Sequence, residues 1–163
     1  MRSNKTVPKM RNDDFAGVEN IIGYTFADKA LLQCALTHES YVNERGGESN
    51  ERLEFLGDSV LNFIVTEDLY ALCDQSEGIL TDIRQRIVSK EPLAEAVRAM
   101  GLLAFYRLGK GAKLDKNNFK DKPISDLFEA VLGAVYIDGG IENARRFVHM
   151  HLHVDLCRKS AVK

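Results

Sequence analysis

The stretch from residue 50 to residue 70 constrains the fold of this chain more than any other. Its first fifteen residues read NERLEFLGDSVLNFI, and the apolar pattern continues to Tyr70. A helix turns by about 100° per residue, and at that angle the larger apolar side chains form one stripe. The members of the stripe are Leu53, Leu56, Val60, Phe63 and Ile64. The stretch therefore predicts a long helix that packs on a core through this stripe.

Three carboxylates occupy a different side of the same helix. Glu51, Glu54 and Asp58 follow one another at i, i+3 and i+7, roughly opposite the apolar stripe, with Asn62 one turn further on. Like charges at these spacings destabilise a helix unless a cation neutralises them, and hard cations prefer oxygen ligands. The pattern indicates a cation site. The alternative is the solvated face of an ordinary amphipathic helix, which acidic residues opposite a core stripe usually form.

A second acidic segment repeats this design between residues 123 and 135. Its apolar stripe consists of Ile124, Leu127, Phe128, Val131 and Val135. Asp126 and Glu129 lie on roughly the opposite side, beside Ala130 and Gly133, whose small size permits close approach of another helix. Four or five carboxylates from two such helices would form a Mg²⁺ or Mn²⁺ site. A di-iron bundle would need a Glu-x-x-His pair, which neither acidic segment contains.

Composition and charge narrow the class of protein without deciding its function. The 163 residues are 45% hydrophobic, enough for one domain with a real core, and no apolar run approaches a membrane span. The polar N-terminus lacks a secretory signal, and Cys34, Cys73 and Cys157 lack metal-ligand spacing. We therefore expect buried or incidental thiols and a cytoplasmic location. Residues 84–122 carry ten basic and four acidic side chains, so this segment is +6 and the remainder −8.

The periodicity predicts helices throughout and no convincing strand. We expect a leader over residues 1–13, one domain over residues 14–157 and a tail or linker over residues 158–163. Within the domain the predicted helices cover about 14–22, 29–36, 50–73, 80–90, 92–100, 102–106, 123–138 and 142–157. A polar loop is expected over 43–50 and a lysine-rich loop over 110–122. The fold class is an all-α bundle.

The motif over residues 50–61, NERLEFLGDSVL, resembles the signature of the ribonuclease III family nearly letter for letter. Further segments match the family in the expected order: Tyr24 to Phe26, Ala35 to Ser40, Glu77 with Gly78, and Ser125 to Asp138. The resemblance covers about residues 16–156. A long signature with a matching second acidic segment is far more specific than a lone short motif.

The resemblance implies a homodimeric, all-helical endonuclease domain that hydrolyses double-stranded RNA with two Mg²⁺ ions, or Mn²⁺ as a substitute. It implies 5′-phosphate and 3′-hydroxyl ends, two-nucleotide 3′ overhangs and a role in processing rRNA and mRNA precursors, without an organic cofactor or a membrane. The family's metal-binding acids match Glu54, Asp58, Asp126 and Glu129, with Asp58 and Glu129 as catalytic residues. Glu51 and Glu77 match two further acids.

Phe55 stands on the acidic side of its helix, away from the apolar stripe. One interpretation is an aromatic side chain covered by another helix of the same chain. The resemblance implies instead that it inserts into a pocket of a second subunit and anchors an isologous dimer.

The lysine-rich loop provides a candidate contact with RNA phosphates. Its predicted RNA-binding residues are Lys110, Lys113, Lys116 and Lys120, with Lys122 in the same run, and a merely solvated loop is the alternative. His149, His151 and His153 resemble a metal tract, but only His149 and His153 share a helix face, so we interpret them as surface residues. His38 is expected to be a structural hydrogen-bonding residue.

One departure from the family pattern bears on function. Typical bacterial members continue into a double-stranded-RNA-binding domain, whereas this sequence stops at Lys163. We expect either a truncated form or an unusual member, with salt-sensitive RNA binding. The competing function is a non-catalytic RNA-binding or ribosome-associated module on the same fold, and the unsubstituted acids favour the enzyme.

Overall fold

The computed structural model describes residues 12–114 and 120–153, and these ranges form helices without a strand. The elements in chain order are α1 (Asn12–Ile22), α2 (Lys29–Ala35), α3 (Glu39–Arg45), α4 (Glu51–Leu72), α5 (Glu77–Ile87), α6 (Lys90–Met100), the 3₁₀ turn η1 (Leu102–Phe105), α7 (Lys110–Leu114) and α8 (Asp121–His151). The all-α prediction is confirmed. The predicted leader over residues 1–13 and tail over 158–163 lie almost entirely outside the described residues.

Helix α8 is the centre of the fold. From Ile124 to Val135 every residue except Asp126 and Glu129 is buried, and α4, α6 and α2 pack around it. Gly140 interrupts the helix with a left-handed φ of 77°, which any residue with a Cβ adopts only at a cost. The predicted stop at Gly139 and Gly140 is therefore present as a break between two helical segments.

The buried side of α4 differs from the predicted stripe. Leu53, Val60 and Ile64 are buried as expected, but Phe63 is 55% exposed. Gly57, Leu61 and Val65 are buried instead, because α8 covers α4 on the side of Gly57. Glu54 is consequently half-buried beside the contact with α8, so its placement opposite the core was wrong, whereas Glu51 and Asp58 are exposed.

Two predicted loops contain helices. Helix α3 occupies the start of the expected polar loop, and it begins at His38, whose Nδ1 accepts a hydrogen bond from the Ser40 backbone N–H at 3.1 Å. Helix α7 occupies the start of the lysine-rich segment, where the backbone N–H of Lys110 donates to Glu44 at 2.7 Å. Both helices are short, so their formation depends more on a few capping and side-chain contacts than on a periodic pattern of apolar residues. Helices α5 and α6 begin two or three residues before their predicted starts.

Asn50 ties the start of α4 to two other parts of the chain. Its side chain is buried and donates to the Ala35 carbonyl oxygen at 3.2 Å and to the Tyr106 hydroxyl at 3.3 Å, so it does not cap the helix through a side-chain bond. An isolated parallel bridge between Thr37 and Arg107 closes the same region. The first turn of α4, and with it Glu54, is thereby held in place.

The cysteines follow the expectation only in part. Cys34 is a half-buried free thiol whose pKa is raised by burial. Cys73 is disulfide-bonded, so the expectation of free thiols was wrong for this residue. Cys157 lies outside the described residues. None of the described helices is both long enough and apolar enough to span a membrane.

Candidate metal centre

The crossing of α4 and α8 is unusually close because both helices have a glycine there. A Cβ added at Gly57 would lie 1.7 Å from the Glu129 carbonyl oxygen, and a Cβ at Gly133 would lie 2.4 Å from the Leu53 carbonyl oxygen. Neither position has room for a side chain. The two backbones therefore touch, as the small residues beside the second acidic pair predicted, and the acids next to each glycine are brought together.

Three carboxylates meet at this crossing. Glu54 of α4 and Asp126 and Glu129 of α8 each offer an oxygen, and the three oxygens lie within 4.8 Å of one another. All three side chains are half-buried. We call these three residues the acid cluster. Carboxylate oxygens at this spacing are the donor set that Mg²⁺ and Mn²⁺ prefer, so the residues fit a divalent ion of this kind.

Asp58, the fourth predicted ligand, lies beside the acid cluster and not in it. Its side chain is exposed and accepts a hydrogen bond from the Asn62 amide at 3.1 Å. Its negative charge nevertheless helps to raise the pKa of Glu129, so it shares the electrostatic environment of the cluster. The structure thus brings three of the four predicted ligands into one group, with the fourth adjacent.

The electrostatics of the acid cluster favour binding of a cation or a proton. Burial, with the charges of Asp58, Asp126 and Glu54, raises the pKa of Glu129 to about 8. Burial and the neighbouring Asp126 also raise the pKa of Glu54. Carboxyl groups whose ionisation is this unfavourable are common at functional sites.

Lys122 belongs to this site, although the sequence reading placed it with the lysine-rich loop. Its Nζ donates to Asp126 Oδ2 at 2.8 Å and lies 3.8 Å from Glu54 Oε1. The available signal was the spacing, because Lys122 directly precedes the helix predicted from about residue 123 and stands at i, i+4 to Asp126, where opposite charges meet on a helix.

The two secondary acids have different surroundings. Glu51 is exposed, accepts a hydrogen bond from the Ser49 hydroxyl at 2.7 Å and contributes to the raised pKa of Glu54. It lines a polar recess of about 390 Å³ that also reaches Glu54 and Asp126. Glu77 begins α5 and accepts a hydrogen bond from Thr81 at 3.1 Å. It lines a separate cavity and is not a member of the acid cluster.

Phe55 is 80% exposed, so no other part of the described chain covers it. The interpretation that another helix of this chain shields it is therefore wrong. Phe63 and Tyr70 are also exposed on α4, at 55% and 83%. Close to Tyr70, a mostly apolar cavity of about 410 Å³ is lined by Thr66, Leu69, Leu80, Glu77 and Arg84, among others.

The predicted RNA-binding lysines are described only in part, and His149 and His151 have separate partners. Lys110 and Lys120 are exposed, while Lys116 and the side chain of Lys113 lie outside the described residues. His149 pairs with Asp68 at 2.7 Å, and His151 bonds the Ile22 carbonyl oxygen at 3.1 Å, so these two histidines serve separate contacts. His38 is the structural cap of α3, as expected.

The described chain is an all-helical domain with a carboxylate cluster where two helices cross at glycines, the arrangement of a candidate metal-binding protein. Comparisons with known proteins identify its family. The model for the family described as Ribonuclease-III-like matches residues 28–156. Ribonuclease 3 of Oleidesulfovibrio alaskensis is 46% identical over 143 residues, which are 86% of this chain and 61% of that protein. Ribonuclease 3 of Symbiobacterium thermophilum is 44% identical over 146 residues, 87% of this chain and 62% of that protein.

Comparison with solved structures supports the same family. A nuclease domain of ribonuclease III from Campylobacter jejuni, described for structural flexibility in a region involved in dimer formation, has a TM-score of 0.76 at 32% identity. The match covers 82% of this chain and 92% of that one. A second structure of that nuclease domain gives a TM-score of 0.75 at 30% identity, over 94% of this chain and 99% of that one. The chain belongs to the ribonuclease-III-like family, and it spans about three fifths of the length of these curated relatives.

Proposed function

We propose that this chain is a metal-dependent endoribonuclease that hydrolyses double-stranded RNA and acts in the processing of rRNA and mRNA precursors in the cytoplasm. The observation that carries the proposal is the meeting of Glu54, Asp126 and Glu129 within 4.8 Å at the crossing of α4 and α8. Family membership supports the reaction class. Products with 5′-phosphate and 3′-hydroxyl ends and two-nucleotide 3′ overhangs belong to the same proposal.

Glu54, Asp126 and Glu129, with Asp58 beside them, would hold two Mg²⁺ ions, for which Mn²⁺ is a substitute. Such ions, when bound, supply activation of the attacking water and stabilisation of the charge on the attacking and leaving oxygens. Asp58 and Glu129 are the proposed catalytic residues. Glu129 must lose its proton to act as a ligand, and because its pKa is raised to about 8, bound positive charge would favour this ionisation near neutral pH. Glu51 and Glu77 are proposed secondary acids.

A homodimer is proposed from the exposed apolar side of α4. Phe55 projects into solvent, and the cavity near Tyr70 on the same helix has apolar walls and a volume of about 410 Å³. In a two-fold dimer each subunit offers both parts, so Phe55 of each copy would fill the cavity of the other. Glu77 lines that cavity, so the interface would pass beside this acid. Two acid clusters on one duplex account for cleavage of both strands.

The proposed contacts with RNA phosphates are made by Lys110, Lys113, Lys116 and Lys120. Lys110 and Lys120 are exposed, which supports this assignment for the two. Binding through such contacts weakens as the salt concentration rises. Cleavage should accordingly be measured at low ionic strength.

The test is cleavage of an end-labelled RNA duplex with Mg²⁺ at low salt. The chain should cut the duplex, and Glu129→Ala should lower the rate by at least about 100-fold, because the variant lacks a ligand at the reacting centre. Glu95→Ala, which removes an exposed acid from α6, is the control and should retain full activity. Equal rates for Glu129→Ala and the unaltered chain would refute the site. Duplex binding without any cleavage would favour the non-catalytic RNA-binding function.

A further inference from the structure

Lys122 occupies a position that the proposed reaction does not explain. Its Nζ lies 2.8 Å from Asp126 Oδ2 and 3.8 Å from Glu54 Oε1, while its side chain remains 60% exposed. Within the described part of the chain, no other lysine or arginine pairs with the acid cluster. The cluster therefore already has one covalently tethered cation.

The ammonium group and a divalent ion compete for the same oxygens. A Mg²⁺ ion binds carboxylate oxygens at about 2.0–2.1 Å and demands near-octahedral geometry. While the Lys122 ammonium group is hydrogen-bonded to Asp126 Oδ2, that oxygen is less available to the metal ion as a ligand. Two positive charges at such separations repel strongly. The exposed aliphatic part of Lys122 leaves it free to move away into solvent.

We propose that Lys122 is an internal counter-ion that occupies part of the metal-binding space and leaves it when a divalent ion binds. This inference rests on the proposed metal centre. Lys122 orients Asp126 and lowers the repulsion among the carboxylates when they hold no metal. It also weakens metal binding, because its contacts with Asp126 and Glu54 must break first. Lys122 is thus a positioning residue that sets the concentration of divalent ion at which the site fills.

The experiment measures Mn²⁺ affinity of the full chain by calorimetry and by the electron paramagnetic resonance signal of free Mn²⁺, without RNA. Lys122→Met and Lys122→Gln should each bind Mn²⁺ about tenfold more tightly, since they remove a neighbouring positive charge. Lys120→Met is the matched control. It removes the same charge two residues away, from a lysine that pairs with none of the described acids, and should change the affinity by less than about twofold. Lys122→Arg should stay close to the unaltered chain.

The outcomes separate this inference from the proposed function. Equal affinities for Lys122→Met and Lys120→Met, or weaker binding by Lys122→Met, would overturn the role of Lys122 while leaving the metal centre intact. Absence of Mn²⁺ binding by the unaltered chain and by every variant would overturn both. The increase in Tm on adding Mn²⁺ should also be larger for Lys122→Met than for Lys120→Met, because tighter binding stabilises the folded state more.

Discussion

The packing of α4 against α8 changes the acidity of Glu129. On an isolated helix its carboxyl group would face water. In the folded chain its backbone touches Gly57, its side chain is half-buried, and Asp58, Asp126 and Glu54 surround it. These surroundings raise the pKa of Glu129 to about 8. The positive charge of Lys122 lowers the pKa of Glu129, but by less than burial and the three carboxylates raise it.

The raised pKa predicts how stability depends on pH when a chelator removes metal ions. Between the ordinary value of 4.5 and about 8, the folded state holds a proton on Glu129 that the unfolded state has lost. Stability falls as pH rises wherever the folded state binds more protons, so Glu129 should make the free energy of unfolding decrease from pH 5 to pH 8. Urea unfolding at several pH values measures this decrease.

Glu129→Gln provides the comparison, because its amide keeps the shape and does not titrate. Its free energy of unfolding should fall less steeply over pH 5 to 8 than that of the unaltered chain. Glu95→Gln, an exposed acid on α6, should retain the original slope. Identical pH profiles for Glu129→Gln and the unaltered chain would contradict the assigned pKa.

At the scale of elements, the contact between α4 and α8 serves both stability and the site. Gly57 and Gly133 allow the two backbones to meet, and Glu54 and Glu129 lie close to the point of contact. Ile124 to Val135 are buried on nearly every side, so α8 cannot move without disturbing the core. Separating the helices by the width of a methyl group would also separate the carboxylates.

Gly57→Ala should therefore destabilise the chain by about 2–3 kcal/mol, since overpacking outweighs the gain in helix propensity of roughly 1 kcal/mol. Gly78→Ala is the matched control, because a Cβ there meets nothing within 4 Å in the first turn of α5. It should be neutral or slightly stabilising. Urea unfolding of both variants gives the free energies, and Mn²⁺ calorimetry should show weaker binding for Gly57→Ala alone. Equal stability of the two variants would disprove the close crossing.

At the scale of the whole molecule, α4 joins the core on one side and exposes aromatic residues on the other. Phe55, Phe63 and Tyr70 are 80%, 55% and 83% exposed, respectively. Large apolar side chains concentrated on one surface are typical of a protein–protein interface. The proposed dimer would bury them and would set the distance between the two acid clusters.

Phe55→Asp should convert the proposed dimer into a folded monomer, because the variant loses the apolar side chain that would fill the partner's cavity and would have to desolvate a carboxylate there. Sedimentation velocity measures the change, and circular dichroism verifies that the helices remain. Met150→Asp is the control, since Met150 is 57% exposed on the second segment of α8. It should leave the association state unaltered. A fully dimeric Phe55→Asp variant would rule out the anchor.

The sequence by itself determined most of the helical architecture and the identity of the acids. The 3.6-residue period located α4, the two segments of α8 and the small residues beside Asp126 and Glu129. The motif over residues 50–61 was specific enough to indicate the family, to which the chain belongs. Local spacing carries this information because it depends only on neighbours within one or two turns.

The tertiary structure alone decided which face of each helix is covered. A helical period gives the angle between side chains but not the direction from which another element approaches, so Phe63 was wrongly assigned to the core and Glu54 to the side far from it. The exposure of Phe55 was likewise a result of the fold, since no described element covers that side of α4. The i, i+4 spacing already placed Lys122 beside Asp126, but its proximity to Glu54 and the meeting of Glu54 with Asp126 and Glu129 follow from the crossing of α4 and α8. That crossing joins residues more than 70 positions apart, and its geometry is set by the two glycines together.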